Sequence, residues 1–565
     1  MDPPHFTRAP LGDYALHAAS FYLVYSMRGP SAVVASFALF THLFLVGRRR
    51  ISLVPLYGSI VVASYITLTY ARSSQAALSA RAQVLLRGAL LVSTALGAAL
   101  DAWVFPLDRR APLRAAGSLA CRGVAQTSLG VSAGGGAFTL RVYYPAAVGA
   151  QATRVPYCVE GLELAAGIAR FMKLPTAVFG WMRHLRGWSV VADAVDAPLD
   201  FSRARAAATA ASLIPSGATR LPVVVFSHGL SGSPDLNAAI IAAYVAVGAV
   251  VFAPEHADGS GAFTRVTVRG SGAGAFTYEP LTSEERNSRE LEYVRRHRQL
   301  KQRADELITS VRVAADLAAL AVPAPGASLP PPNASDSWPL LAHVLGGRIN
   351  GSAMLASGHS FGGATAITAA ENEPLISAVV SFDPWAFPLS AATLSRGLPR
   401  IPVLGLVGEG FAIWRENATA LRMLLSPSYR TKRELEGDAP PTVTRSNGIE
   451  KSGLRASGMG TRAGARGVHA ASAYVALRDV YHQSFSDFGL LAPPIMRALK
   501  YIGSTRSARD EVVLINEIAL DFWAHACGAG SRGTPFVPLS ARGDAVKGEL
   551  IDTDAIPDFD PLPEE

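Results

Sequence analysis

Long charge-free runs dominate the first hundred residues. Residues 29–47 (GPSAVVASFALFTHLFLVG) hold no Asp, Glu, Lys or Arg and end at Arg48, Arg49 and Arg50. Residues 51–71 repeat the pattern and end at Arg72, and a third run at 88–100 lies between Arg87 and Asp101. Crossing a bilayer takes roughly 20 apolar residues. The second run meets that length, the first nearly does, and the third does when it borrows AWVFPL beyond Asp101. A weaker stretch at 14–27 adds a fourth candidate pass. The pattern predicts an N-terminal bundle of three to four transmembrane helices over residues 1–110, with a buried helical subdomain as the alternative. A short basic region followed by a single apolar run, the mark of a cleaved signal peptide, is a poor description of this N-terminus.

From about residue 117 the period changes. Short apolar runs at 138–145, 221–228, 248–255, 352–360, 377–383 and 401–408 read as strands, several of them apolar throughout. Continuous apolar runs are what parallel strands covered on both faces require. Helical stretches lie between them, notably 283–320 and 361–371. Alternation of strand and helix predicts an α/β fold over residues 117–530, a mostly parallel sheet flanked by helices. Residues 322–338 are Pro-rich and residues 434–468 are polar and Gly-rich, so both read as insertions, the second disordered. Residues 531–565 read as an extended acidic tail.

Composition adds little to this. The chain has 565 residues, 49% hydrophobic and 17% charged, with a formal net charge of +8. The arginines are scattered, with no Cys/His finger spacing and no aromatic–basic pattern, so nucleic acid is not an expected partner. Affinity for anionic lipid surfaces and a plain basic bias both fit the charge. Cys121, Cys158 and Cys527 are far apart and odd in number, which suits core thiols better than a disulfide framework or a metal site. With three spans, Arg48–Arg50 would share a side with Arg109, Arg110 and Arg114, and the positive-inside rule then favours a cytosolic catalytic domain. Arg72, Arg81 and Arg87 on the other side blunt that argument, and glycosylation-type sequons at Asn333, Asn350 and Asn417 point the opposite way.

The chemistry centres on G-x-S-x-G, which occurs at Gly130–Gly134 and Gly358–Gly362. A nucleophile elbow needs a strand before the serine and a helix after it. Ser132 is followed by more glycine and then a strand, so its segment is expected to be a flexible loop. Ser360 follows SAMLAS and precedes FGGATAITAAE, a strand and then a helix, and is the expected nucleophile. A serine hydroxyl needs a base to take its proton and an acid to orient that base. In α/β-hydrolases these follow in the order Ser, Asp or Glu, His. Asp383 stands directly after the apolar run SAVVSF, and His482 lies in LRDVYHQSFSDF, so both have the required order. His228 and His256 precede the serine, His359 is the residue within the elbow, His469 falls in the second insertion and His525 on the last helix; each is expected to be structural or solvated. Asp479 and Asp487 flank His482 and are the rivals to Asp383. Of the two N–H donors that an oxyanion needs, one is expected at Phe361, after the nucleophile, and the other at Leu230, in the loop of VVVFSHGLSGS.

Five motifs, FSHGLSGS, EHADGSG, GHSFGGATA, FDPWAFPL and YHQSFSDF, occur in this order. Together they resemble the plasma and intracellular type II family of platelet-activating factor acetylhydrolases, from near LRVYYP to the last helix with the two insertions excepted. The resemblance implies an α/β-hydrolase, a calcium-independent phospholipase that releases acetyl and other short or oxidised sn-2 chains from phospholipids with no metal or cofactor. It implies Ser360 as nucleophile, Asp383 as acid, His482 as base, and Leu230 and Phe361 as oxyanion donors. Pro384 stands where the family has a small residue, and a multi-pass N-terminus is foreign to its familiar members. Residues 176–186 fall where the family has a membrane-contacting helix. Val178, Phe179, Met182 and Leu185 share one helical face there, suiting either an interfacial helix or one packed on the domain. The expected protein is therefore a membrane-anchored serine esterase acting on phospholipid. A broader carboxylesterase or polyester-type hydrolase, or an inactive lipid-binding module of the same fold, are the alternatives.

LDAWVFPLD at 100–108 and FDPWAFPLS at 382–390 share Asp, Trp, Phe, Pro and Leu at the same offsets. Asp383 follows a sheet strand and the nucleophile. Asp101 precedes the whole α/β region and reads as an interfacial helix end, with Trp103 and Phe105 at headgroup level.

Overall fold

The computed structural model describes residues 124–528, apart from 134–135, 147–154, 157, 159, 180–189, 193, 269–270, 325–329, 331–336, 427–428, 431–467 and 492, together with Val92 and Phe536. The expected N-terminal spans, Asp101, Cys121, Asn333, Met182, Leu185 and nearly all of the second insertion and the acidic tail lie outside the described residues. Among the described residues no helix is long and apolar enough to cross a membrane.

Nine strands form the main sheet. They are β1 (Val124–Ala133), β2 (Gly136–Pro145), β3 (Ala194–Val195), β4 (Leu221–Ser227), β5 (Val250–Glu255), β6 (Ile349–His359), β7 (Ile376–Phe382), β8 (Val403–Gly408) and β9 (Ala473–Leu477). The spatial order is β9-β8-β7-β6-β4-β5-β2-β1-β3. From β9 to β5 every pair is parallel, and β2 pairs antiparallel with both β5 and β1. The sheet is thus mostly parallel with an antiparallel margin, as in α/β-hydrolases.

Helix α1 (Gly161–Met172) packs away from the main sheet against Leu236 and Ala262, and the sheet's faces are covered by α2 (Ala238–Ala246), α3 (Arg289–Ala319), α4 (Trp338–Leu345), α5 (Phe361–Asn372), α6 (Arg415–Leu425) and α7 (Ala508–Cys527). Alternation along β4 shows why that run is apolar throughout. Val223 and Val225 pack with Leu307 and Val311 of α3 and Ile367 of α5, whereas Val224 and Phe226 pack with Ile241 of α2 and Phe522 of α7. Both faces meet a helical layer, so the strand is apolar up to Ser227, whose buried hydroxyl is paired with His256. α3 begins at Ser288, whose side chain accepts from the Leu291 N–H, and α7 begins at Ser507, which accepts from the Asp510 N–H.

Three expectations are corrected. The segment around Ser132 is not a loop: Gly130 to Ala133 continue β1 and pair with β2, Ser132 lying opposite Ala137. Backbone pairing does not depend on side chains, so a Gly- and Ser-rich stretch can complete a hairpin. His469 lies in the turn before β9, where its Nδ1 accepts from the Ala471 N–H. Asn417 is buried, and its side chain bonds the Pro384 carbonyl and the Ala386 N–H, so it is not placed to accept a glycan. Phe536, within the acidic tail, is buried against Phe522 with ring centroids 5.1 Å apart.

Candidate active site

β6 delivers Ser360 to the C-terminal rim of the sheet, and α5 leaves directly after it. The serine takes φ +59° and ψ −117°, a conformation that L-residues adopt only under constraint. The flanking glycines supply that constraint. A Cβ on Gly362 would lie 2.0 Å from the Ser227 carbonyl oxygen, and one on Gly358 would lie 2.2 Å from that of Gly362. Neither position has room for a side chain, so the turn closes only with glycine at both.

The next strand end supplies the carboxylate. Asp383 follows β7, is fully buried and has φ +45°. Its loop is tied to the elbow, because the Ser360 N–H donates to the Phe382 carbonyl (2.8 Å) and the Trp385 N–H donates to the Ser360 carbonyl (3.1 Å). Asn417 holds the same loop from below, and Pro384 packs where a Cβ on Gly363 would come within 2.8 Å.

The histidine comes from the loop after β9. His482 Nδ1 lies 2.6 Å from Asp383 Oδ2, while Asp383 Oδ1 accepts from the Gly408 N–H at 2.8 Å. Burial raises the Asp383 pKa above the usual aspartate value, opposed by its bond to His482. The imidazole stacks on Phe411 with centroids 4.5 Å apart and planes 7° apart, and the His359 ring lies 4.7 Å away. His482 keeps 28% of its side chain exposed, against none for Asp383, so solvent reaches the base and not the acid. The rival carboxylates are engaged elsewhere. Asp479 accepts from the Ser504 and Thr505 N–H groups, and Asp487 accepts from the Ala239 N–H.

The loop after β4 lies against the elbow, since a Cβ on Gly229 would sit 3.3 Å from the Ser360 Cβ. It carries Leu230, and Phe361 opens α5. Beneath this loop lies a second buried network that sequence reasoning treats only as structural histidines. His256 bridges Ser227 Oγ (2.8 Å) and Glu306 (2.6 Å), and its ring lies 4.9 Å from that of His228. Burial drives the His256 pKa well down and raises that of Glu306, so each is biased toward its uncharged form.

Several contributors carry no motif. Phe411, the Gly408 N–H, Asn417 and Glu511, which accepts from the Ser484 hydroxyl beside His482, are named by three-dimensional contact alone. For Phe411 the only sequence signal is a position just past a strand's C-terminal end. Of the residues proposed for a membrane-facing helix, Val178 and Phe179 belong to a single helical turn, Thr176–Phe179, and Phe179 packs half-buried against the cluster of Leu164 and Ile168.

A mostly parallel sheet with a serine on a constrained strand-to-helix turn, beside a buried aspartate bonded to a part-exposed histidine on the same rim, defines the α/β-hydrolase class. The chain belongs to the family "Platelet-activating factor acetylhydrolase, isoform II", whose model matches residues 127–528. It is 26% identical to the platelet-activating factor acetylhydrolase of Gallus gallus over 220 residues, 38% of this chain and 50% of that protein. To the Cavia porcellus protein of the same name it is 28% identical over 181 residues, 31% of this chain and 38% of that one. The chain thus spans half or less of the length of these relatives. A solved ferulic acid esterase from Streptomyces cinnamoneus is similar with a TM-score of 0.38 and 15% identity, over 71% of this chain and 88% of that one.

Proposed function

We propose that this protein is a membrane-anchored serine esterase that hydrolyses the sn-2 acyl ester of phospholipids with short or oxidised chains. The observation that carries this is the bond between His482 Nδ1 and Asp383, on the rim where Ser360 follows β6. With Nδ1–H given to the carboxylate, Nε2 is the basic nitrogen. Ser360 Oγ attacks the ester carbonyl and passes its proton to Nε2, and Asp383 stabilises the imidazolium that forms. The oxyanion is bound by the Leu230 and Phe361 N–H groups. Collapse of the tetrahedral adduct sends the His482 proton to the departing lysophospholipid oxygen and leaves an acyl-serine. A water deprotonated by His482 then releases the carboxylic acid. No step calls for a metal.

Anchoring is proposed from the charge-free runs at 29–47, 51–71 and 88–100, with the catalytic domain on the cytosolic side. Family membership supports a phospholipid substrate.

The experiment is a substrate panel on the purified full chain with a chelator present, comparing phospholipids of increasing sn-2 length with simple aryl esters. Preference for short sn-2 chains supports the reading. Turnover of aryl esters alone would assign a broader carboxylesterase, and no turnover or fluorophosphonate labelling would assign an inactive lipid-binding module.

A further inference from the structure

α3 contains the polar-rich run RRHRQLKQRADEL at 295–307, part of which faces the interior. Arg303 in this run is fully buried. Its Nε donates to Ser260 Oγ at 2.7 Å and lies 3.4 Å from Asp258 Oδ2. Its Nη1 donates to the His228 carbonyl at 2.7 Å and its Nη2 to the Gly229 carbonyl at 3.3 Å. Its Cζ lies 4.6 Å from the centre of the Phe361 ring. One guanidinium therefore touches both segments that carry the oxyanion donors. The Gly229 carbonyl is held further by the Gly232 N–H (3.1 Å) and by His228 Nδ1 (2.9 Å).

That carbonyl belongs to the same peptide unit as the Leu230 N–H. The described chain has no cis peptide, and in a trans peptide the C=O and N–H point in opposite directions. Fixing the oxygen in the interior therefore fixes the N–H outward. We propose that Arg303 is a positioning residue for the oxyanion hole, pinning the Gly229 carbonyl inward so that the Leu230 N–H is aimed at the carbonyl oxygen of an ester on Ser360. It touches no substrate. The role rests on Ser360 being the nucleophile.

The test uses the full chain with Arg303→Met and Arg303→Lys. A lysine keeps the charge but lacks the planar fork that reaches both carbonyls. Three quantities are measured on a short-chain ester: kcat, KM and affinity for the matching trifluoromethyl ketone, which Ser360 adds to as a tetrahedral oxyanion. Arg303→Met is expected to lower kcat by about 10²–10³, the loss seen when one oxyanion donor is removed. Ketone affinity should fall in step, with KM nearly unchanged and the pH midpoint of kcat/KM as in the wild type, because His482 and Asp383 are untouched. Arg303→Lys should show a smaller loss of the same kind, and it carries the test if the Met variant does not fold. Unchanged kcat and ketone affinity in a folded variant would overturn the proposal. So would a KM that rises in step with the loss of ketone affinity, which marks general collapse of the site. Wild-type protein that neither turns over the ester nor binds the ketone would instead remove the reading of Ser360, and this proposal with it.

Discussion

His482 and Asp383 are 99 residues apart in sequence and share a 2.6 Å hydrogen bond, with the other carboxylate oxygen held by the Gly408 N–H. An amide in place of the carboxylate would keep the shape but offers an N–H or a weaker acceptor to Nδ1, which favours the wrong tautomer. Asp383→Asn should therefore lower kcat on the order of 10⁴-fold, as in a serine protease triad, with KM little altered. Asp101→Asn, in the look-alike segment LDAWVFPLD, should leave kcat near the wild-type value. Steady-state kinetics on both variants decide between the two aspartates.

Phe411 orients the imidazole by a near-parallel stack. Aromatic pairs contribute about 0.5–1.5 kcal/mol beyond area burial. If that orientation is used in the rate-limiting step, Phe411→Ala should lower kcat roughly two- to tenfold. Phe411→Tyr, which preserves the stack, should recover it. Equal losses in both variants would point to packing around the ring rather than stacking.

Glu511 is buried under the turn that bears His482, and burial pushes its pKa up to about 7. The unfolded chain titrates this group near 4.3. Between these values the folded state holds the proton more tightly, so its contribution to stability is complete below the lower value and is lost as pH rises through about 7. Glu511→Gln keeps an acceptor for the Ser484 hydroxyl and removes the titration. Melting temperature measured from pH 4 to 8 should fall less steeply with pH in the variant than in the wild type, and parallel curves would remove Glu511 as the cause.

Arg141 on β2 is buried between Asp235 and Glu255, within ion-pair distance of both. Removing one partner of a buried ion cluster leaves charge uncompensated and typically costs about 3–5 kcal/mol. Arg141→Met should lower the urea midpoint correspondingly at an unchanged m-value. A midpoint like that of the wild type would show that the carboxylates protonate or hydrate at little cost.

Much of this architecture is legible in the sequence where a physical requirement is local. Strands β4 to β8 stand out because coverage on both faces favours mostly apolar runs. The elbow stands out because only glycine fits at 358 and 362. What escapes is set by tertiary context. Nothing local to α3 marks Arg303 as buried; the loop of His228 and Gly229 lying over it does. Asn417 reads as a sequon until its amide is seen bracing the Asp383 loop. The end of β1 reads as a loop because Gly and Ser carry no strand signal, although β2 supplies every backbone partner it needs.

The central claim is nucleophilic attack by Ser360. Its most direct test is acetate release from 1-alkyl-2-acetylglycerophosphocholine by the purified full chain and by Ser360→Ala, each checked for folding by its melting temperature. Release by the wild type and none above background by a folded Ser360→Ala is the expected result. Release by Ser360→Ala at the wild-type rate would contradict the assignment.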